Sequence, residues 1–306
     1  MLIIAGSSNQ SLAKNIVQSL QGRGENAELL ECQIGKHANG EKKIKILNED
    51  KVRGKRVSIV QSFSDPVDEN IIETLLIADA LERMGARSAL IIIPWMGYSL
   101  QDKVFTPGEP ISAKVVANVI SNSFIKRVLL LDLHNSSIPG FFSVPTDHFF
   151  ADQLFIEYLK KQQLLSNSVV VSPDFGGIKR ARTFARKVDL ALLNIDKNRD
   201  LTTGEVTANA IHGGSVAGKN VLLFDDVIVS GGTVIETAKL LKENGAEQIV
   251  FYATHGIFCN NALERIEASE IDKVVVTNSI EQKTKSKKLE VLNLSEIFAE
   301  ELINWK

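Results

Sequence analysis

Val221-Leu-Leu-Phe-Asp-Asp-Val-Ile-Val-Ser-Gly-Gly-Thr-Val234 decides the fold of this 306-residue chain. The apolar run at 221–224 is too short for a helix and reads as a strand buried on both faces. It delivers Asp225 and Asp226 at its carboxyl end. The small-residue loop Ser230-Gly231-Gly232-Thr233 follows, and a helical pattern begins at 233. A strand, a small loop and a helix start together make a phosphate cup: glycines let backbone N–H groups approach an anion, and the helix N-terminus adds partial positive charge. Ser230 and Thr233 add hydroxyl donors, with backbone N–H groups available from Val229 onward. The two carboxylates would repel phosphate, so their targets are sugar hydroxyls or a metal. The plainer alternative, an N-capped turn carrying surface acids, fits adjacent acids before Gly-Gly-Thr poorly.

Outward from this stretch, short apolar runs recur at 2–5, 56–61, 89–93, 128–131, 169–171, 190–194, 248–252 and 273–276. Helical patterns lie between many of them, at 10–20, 70–84, 112–121, 149–163, 177–187, 233–244 and 260–266. Such alternation predicts an α/β fold, doubly wound, with largely parallel sheets. Val128-Leu-Leu-Leu-Asp-Leu-His134 echoes Val221-Leu-Leu-Phe-Asp-Asp-Val227, which suggests two related domains, 1–148 and 149–306. Residues 289–306 read as a short strand and a terminal helix.

The composition excludes several classes. Hydrophobic residues make up 44% and charged residues 24%, as in globular proteins. With 35 basic and 37 acidic residues, no global field draws the chain to nucleic acid or an anionic membrane, so phosphate binding must be local. Cys32 and Cys259 are too few for a disulfide framework and point to a reducing compartment. Neither a signal peptide nor a membrane-length apolar run is visible, so a cytoplasmic location is expected. Gly213-Gly-Ser-Val-Ala-Gly-Lys-Asn220 almost spells a P-loop, but Asn220 stands where the magnesium-binding hydroxyl belongs and a strand follows it. It reads as a turn.

The 221–234 loop resembles the phosphoribosyl diphosphate loop of type I phosphoribosyltransferases. Four further segments resemble the ribose-phosphate diphosphokinase family, also called phosphoribosyl diphosphate synthetase. They are Gly35-Lys-His-Ala-Asn-Gly-Glu41, Tyr98-Ser-Leu-Gln-Asp-Lys-Val-Phe-Thr-Pro-Gly-Glu-Pro-Ile-Ser-Ala-Lys114, Asp132-Leu-His134 with Ile138-Pro-Gly-Phe-Phe-Ser-Val-Pro145, and Ser172-Pro-Asp-Phe-Gly-Gly-Ile-Lys-Arg-Ala-Arg182 with Ile195-Asp-Lys-Asn-Arg199. The matches keep the family order over about residues 35 to 260. The resemblance implies a phosphoribosyltransferase-like fold and transfer of the diphosphoryl group of Mg-ATP to ribose 5-phosphate.

By the same resemblance His37, Asn39, Gly40, Glu41, Leu100, Gln101, Asp102 and His134 belong to the ATP site. Asp225, Asp226 and Val229, Ser230, Gly231, Gly232 and Thr233 bind ribose 5-phosphate, with Arg199 beside them. Lys197 and Arg199 fall on the family's mobile catalytic loop, and His134 and Asp174 on its Mg²⁺-associated positions. A homo-oligomer is implied, dimer-based and up to a hexamer, with an ATP site shared between subunits. A base phosphoribosyltransferase would need the 225–233 loop but not the 98–112 and 172–199 motifs. A non-catalytic regulatory paralogue is the other alternative. Leu100 where the family has arginine, and His37 where it has a stacking aromatic, favour that paralogue; Lys197, Arg199, His134, Asp174 and Asp225 oppose it. Lys103 for arginine and Val229 for a polar residue complete the departures, which touch ATP affinity more than reaction type.

Overall fold

The computed structural model describes residues 1–47, 49–173, 176–199 and 206–305, with side chains described except at 197–199 and 206–209. The chain forms two compact units. One comprises Met1–Phe150, Ser279–Glu281 and Asn293–Lys306; the other comprises Ala151–Asn278 and Gln282–Leu292. The final segment therefore groups with the first unit, whereas a cut at 148/149 assigns it to the second.

The first unit runs β1 (Leu2–Ala5), α1 (Gln10–Gly22), β2 (Glu28–Leu30), β3 (Cys32–Lys36), β4 (Lys42–Ile46), α2 (Glu49–Val52), β5 (Arg56–Val60), α3 (Val67–Arg83), β6 (Ser88–Ile93), α4 (Ser112–Ser121), β7 (Ile125–Leu131) and β8 (Thr146–Phe149). The second runs α5 (Asp152–Lys161), β9 (Ser168–Ser172), α6 (Ile178–Lys187), β10 (Leu192–Arg199), β11 (Val206–His212), β12 (Asn220–Ile228), α7 (Gly232–Glu243), β13 (Gln248–Gly256), α8 (Ala262–Glu267), β14 (Lys273–Thr277) and β15 (Leu289–Leu292). Helix α9 (Ser295–Asn304) belongs again to the first unit.

The first unit's main sheet is parallel throughout, in the order β2-β1-β5-β6-β7-β8. The second unit's order is β11-β10-β9-β12-β13-β14-β15, parallel except for the β10–β11 pair. Without β11 the two orders are the same. Each sheet grows outward in both directions from one crossing point, between β1 and β5 in the first unit and between β9 and β12 in the second. Ligands in open α/β sheets bind at the carboxyl ends of strands at such a crossing. The central strands are apolar on both faces because helices cover both: Ile59, Ile91, Leu130, Val170, Leu223 and Phe251 are all buried.

The topology corrects the internal echo. Val128–His134 lies on and after β7, whose counterpart by sheet order is β14; the counterpart of β12 is β5. At the first unit's crossing the loops are tied to one another. Glu73, fully buried on α3, accepts from Ser7 N at 2.6 Å, Ser7 Oγ at 2.8 Å and Gln61 Nε2 at 2.8 Å, and pairs with Lys42 at 2.8 Å. Ser8 Oγ donates to Gln61 Oε1 at 2.8 Å and to Ser62 O at 2.7 Å. A side chain on Gly6 would meet Gln61 at 2.2 Å, so the turn after β1 needs glycine to close over this network. Burial pulls the Lys42 ammonium down, but Glu73 and Glu69 more than offset it and hold it above the ordinary lysine value.

Candidate active site

The second unit leaves its crossing point to a small loop. Strand β12 runs through both carboxylates to Ile228, four residues past the apolar run, and pairs with β13 as far as Ile228↔Gly256. The chain then turns at Gly231, whose φ of 74° is left-handed and suits glycine, and α7 begins at Gly232. Val229, Ser230, Gly232 and Thr233 are partly exposed at the carboxyl edge of the sheet, and Gly231 is buried. The backbone there is held from behind. Ile228 O accepts from Ile257 N at 2.9 Å and Val229 O from Cys259 N at 2.9 Å.

The pleat separates the adjacent carboxylates. Asp226 is 3% exposed and pairs with Arg180 of α6, Nη1 to Oδ1 3.2 Å. One turn along α6, Phe184 stacks on Phe224 at 4.0 Å, so positions 224 and 226 of the strand meet positions 184 and 180 of the helix. Asp225 is partly exposed, and its Oδ1 accepts the Asp226 N–H at 2.9 Å. Both were expected at the sugar, but only Asp225 has the exposure for it; Asp226 is engaged in packing α6. Arg180 lies three residues beyond Gly177, within the segment that carries the resemblance, which implies no role for it.

Lys197 and Arg199 lie on the backbone of β10, not in a free turn, paired with Ala208 and Val206 of β11. Their side chains, and all of Asp174, lie outside the described residues.

The segments whose resemblance implies an ATP site all belong to the first unit. His37, Asn39, Gly40 and Glu41 form the exposed tip of the β3–β4 hairpin. His37 N donates to Glu41 O at 2.8 Å and Gly40 N to His37 O at 2.9 Å, with Gly40 at a φ of 91°. Helix α3 anchors the hairpin through Lys36–Glu69 at 2.6 Å and Lys42–Glu73 at 2.8 Å. The hydrogen bond from Lys36, against some desolvation and with help from Lys42, holds the Glu69 carboxyl below its ordinary value. Tyr98 joins the same helix end by donating to Asp68, and this bond with partial burial keeps its phenol above the usual range.

Leu100, Gln101 and Asp102 are half-buried. Gln101 accepts from Ser112 Oγ, and Asp102 Oδ2 accepts from Asn135 Nδ2 at 2.5 Å. That last bond brings the 98–112 segment to the one that follows β7, where His134 is exposed. His148 holds this second segment: its Nε2 accepts the Leu133 N–H at 2.9 Å, a structural role. A cleft of about 530 Å³ lined by Asp65, Asp68, Glu69 and Tyr98 opens at the start of α3. Of its carboxylates, Glu69 is paired with Lys36 and Lys42 and Asp68 accepts from Tyr98.

Residues 1–123 match the N-terminal domain of ribose phosphate pyrophosphokinase, and residues 205–304 match the phosphoribosyl synthetase-associated domain. A ribose-phosphate pyrophosphokinase of Thermotoga maritima is 37% identical over 305 residues, covering 99% of this chain and 94% of that one. One from Helicobacter hepaticus is 38% identical over 298 residues, covering 97% and 93%. The crystal structure of phosphoribosylpyrophosphate synthetase from Mycobacterium smegmatis superposes with a TM-score of 0.89 at 30% identity, covering 99% of this chain and 98% of that one. Relatedness at this level over nearly the whole length makes the chain a member of the ribose-phosphate pyrophosphokinase family.

Proposed function

We propose that this chain transfers the diphosphoryl group of Mg-ATP to the anomeric hydroxyl of ribose 5-phosphate, giving 5-phosphoribosyl 1-diphosphate and AMP. The carrying observation is the 229–233 loop at the β9–β12 crossing, where small residues, a left-handed glycine and a helix start meet at the carboxyl edge of a parallel sheet. That arrangement takes the 5-phosphate. Asp225, the exposed member of the acidic pair, accepts from ribose hydroxyls, while Asp226 keeps β12 and α6 together. The sugar's anomeric oxygen forms a bond to the β-phosphorus as the bond from that phosphorus to the α,β-bridging oxygen breaks. AMP departs with the bridging oxygen, and the anomeric proton is released.

Charge neutralisation and alignment are the main catalytic demands of such a transfer. Lys197 and Arg199 are the cations we assign to the migrating group, and Arg199 is assigned to the sugar phosphate as well. The nucleotide is bound by the hairpin tip (His37, Asn39, Gly40, Glu41) and by Leu100, Gln101, Asp102 and His134. Magnesium enters with ATP as part of the substrate. Among the described residues no three His, Cys, Asp or Glu side chains gather as a metal cage. Mg²⁺ commonly takes one or two protein ligands and fills the rest from phosphates and water. Asp174 is the carboxylate we assign to it, and the exposed His134 suits phosphate or metal-bound water better than the ion itself. When bound, the ion neutralises phosphate charge.

No described helix is long and apolar enough to cross a membrane. We assign the chain to a homo-oligomer with an ATP site shared between subunits. The apolar pairs Val115 and Val119 on α4, and Ile72 and Leu76 on α3, are between 38% and 55% exposed, which supports such contacts.

The test is direct. Purified protein supplied with ribose 5-phosphate and Mg-ATP is expected to form AMP, and Lys197→Ala is expected to lower turnover by about 10²–10³ with little change in either KM. Absence of AMP from the parent protein refutes the function. A variant within tenfold of the parent removes Lys197 from the mechanism.

A further inference from the structure

Three consecutive carbonyls at the end of β12 are tied to the same downstream segment. Ile228 O accepts from Ile257 N at 2.9 Å and Phe258 N at 3.4 Å, and Val229 O accepts from Cys259 N at 2.9 Å. Ser230 O accepts from Arg265 Nη1 at 3.3 Å. In a planar trans peptide the C=O and the following N–H point in opposite directions. Fixing these three carbonyls toward 257–265 therefore turns the N–H groups of Val229, Ser230 and Gly231 the other way, as a set. Successive N–H groups turned to one side form an anion-binding concavity.

The three ties are not equivalent. The first two are main-chain bonds made just beyond the last β12–β13 pair, Ile228↔Gly256. The third is one side chain, reaching back from α8, more than thirty residues downstream. It acts on the Ser230–Gly231 peptide, where the chain passes into the left-handed region before α7. Among the described residues, side-chain packing around the two glycines is loose. A Cβ on Gly231 would lie 3.5 Å from Ile266, ordinary contact, and one on Gly232 would find only Arg265 Nη2, at 3.8 Å. The guanidinium thus lies along the back of the loop. It is exposed to solvent, so its charge is screened, and its main effect passes through the hydrogen bond.

We propose that Arg265 is a positioning residue for phosphate binding: it fixes the Ser230–Gly231 peptide so that the Gly231 N–H faces the 5-phosphate. This rests on the reading of 229–233 as the ribose 5-phosphate loop. Lysine keeps the charge but loses the planar fork that lies against the backbone, so it replaces arginine only in part.

The experiment compares Arg265→Ala, Arg265→Met, Arg265→Lys and Thr233→Ala with the parent in the AMP assay, alongside thermal unfolding. Arg265→Ala and Arg265→Met are expected to raise KM for ribose 5-phosphate about tenfold, the scale of one lost charge-assisted hydrogen bond. KM for ATP should stay within about twofold and kcat should fall far less than KM rises, while Arg265→Lys falls between parent and alanine. The preference for ribose 5-phosphate over unphosphorylated ribose as acceptor should narrow by the same factor of about ten. Thr233→Ala raising KM while both arginine deletions leave it unchanged overturns the proposal and leaves the loop assignment standing. If none of the variants moves KM for ribose 5-phosphate, the loop assignment falls and the proposal falls with it. Parallel loss of both KM values, kcat and melting temperature in Arg265→Ala marks a general packing role and also overturns it.

Discussion

Asp225 and Asp226 share a peptide bond but not an environment, and the difference can be measured. Asp226 is buried against Arg180, so Asp226→Ala removes the carboxylate that the mostly enclosed guanidinium meets at 3.2 Å. Breaking a buried ion pair from one side costs about 3–5 kcal/mol, much of it the penalty on the charge left behind. Asp225 is partly exposed at the edge of the sheet, and its alanine variant is expected to lose less than about 1 kcal/mol, as for a substitution outside the core. Its cost should appear instead as a higher requirement for ribose 5-phosphate with the ATP requirement unchanged. Urea unfolding together with steady-state kinetics on both variants separates the two. Equal destabilisation would mean that the Arg180 contact contributes nothing, and Asp226 would return to the sugar site as an open assignment.

At the scale of the element, the β12–loop–α7 unit depends on a backbone conformation more than on space. A Cβ at Gly231 meets nothing closer than 3.5 Å, so Gly231→Ala is penalised for its φ of 74° and not for a clash. The left-handed region costs a residue with a Cβ about 1–2 kcal/mol. Two outcomes are distinguishable: a loss of stability of that size with substrate affinity kept, or a relaxed φ with stability kept and weaker ribose 5-phosphate binding. Either accords with the turn being needed, whereas a silent variant would not. This element was legible in the sequence because its parts are contiguous: an apolar run, two acids, small residues and a helix start. The β3–β4 hairpin was not. Lys42-Lys-Ile-Lys-Ile46 buries only its last residue, and α3 holds the hairpin through Lys36 and Lys42 rather than through an apolar face. Strand β11 and the last four residues of β12 were missed for a related reason, since their pairing partners are supplied by other strands and leave no local pattern. The echo between 128–134 and 221–227 misled because any buried strand ending at a sheet's carboxyl edge reads as an apolar run followed by an acid. Order within the sheet is not written locally. Arg265 was invisible because it is one exposed arginine on a short helix, meaningful only through the carbonyl it reaches.

At the scale of the whole molecule, residues distant in sequence close the first unit: Ser295–Asn304 pack as α9 on a unit built mainly from 1–150. Leu294, Phe298, Ala299 and Leu302 are at most 2% exposed. Polar contacts fix the direction of α9 against α1: Ser19 Oγ donates to Ser295 Oγ at 3.0 Å, and Arg23 pairs with Glu296 at 2.8 Å. Beyond the helix, the Arg56 guanidinium lies over the Trp305 ring at 5.3 Å and donates to Trp305 O at 3.2 Å. The exposed pairs add little, but burying three large apolar side chains stabilises by about 1.5–3 kcal/mol each, or roughly 5–9 kcal/mol together. A domain's net stability is only about 5–15 kcal/mol, so losing α9 removes a large share of it. It also uncovers the α1 face on which the helix lies. The first unit, although nearly contiguous, is therefore expected not to fold as residues 1–150 alone, and truncation after 293 should unfold it within the longer chain. Phe298→Ala should be milder, about 3–5 kcal/mol, and lower the unfolding midpoint without abolishing the transition. Circular dichroism with urea titration of the 1–150 fragment, the 1–293 chain and Phe298→Ala tests this series. A 1–150 fragment that unfolds cooperatively at the midpoint of the intact first unit would show that α9 decorates a unit already complete. The expected result makes the first unit's stability, and with it the β3–β4 hairpin and the 98–112 segment, depend on residues 293–305.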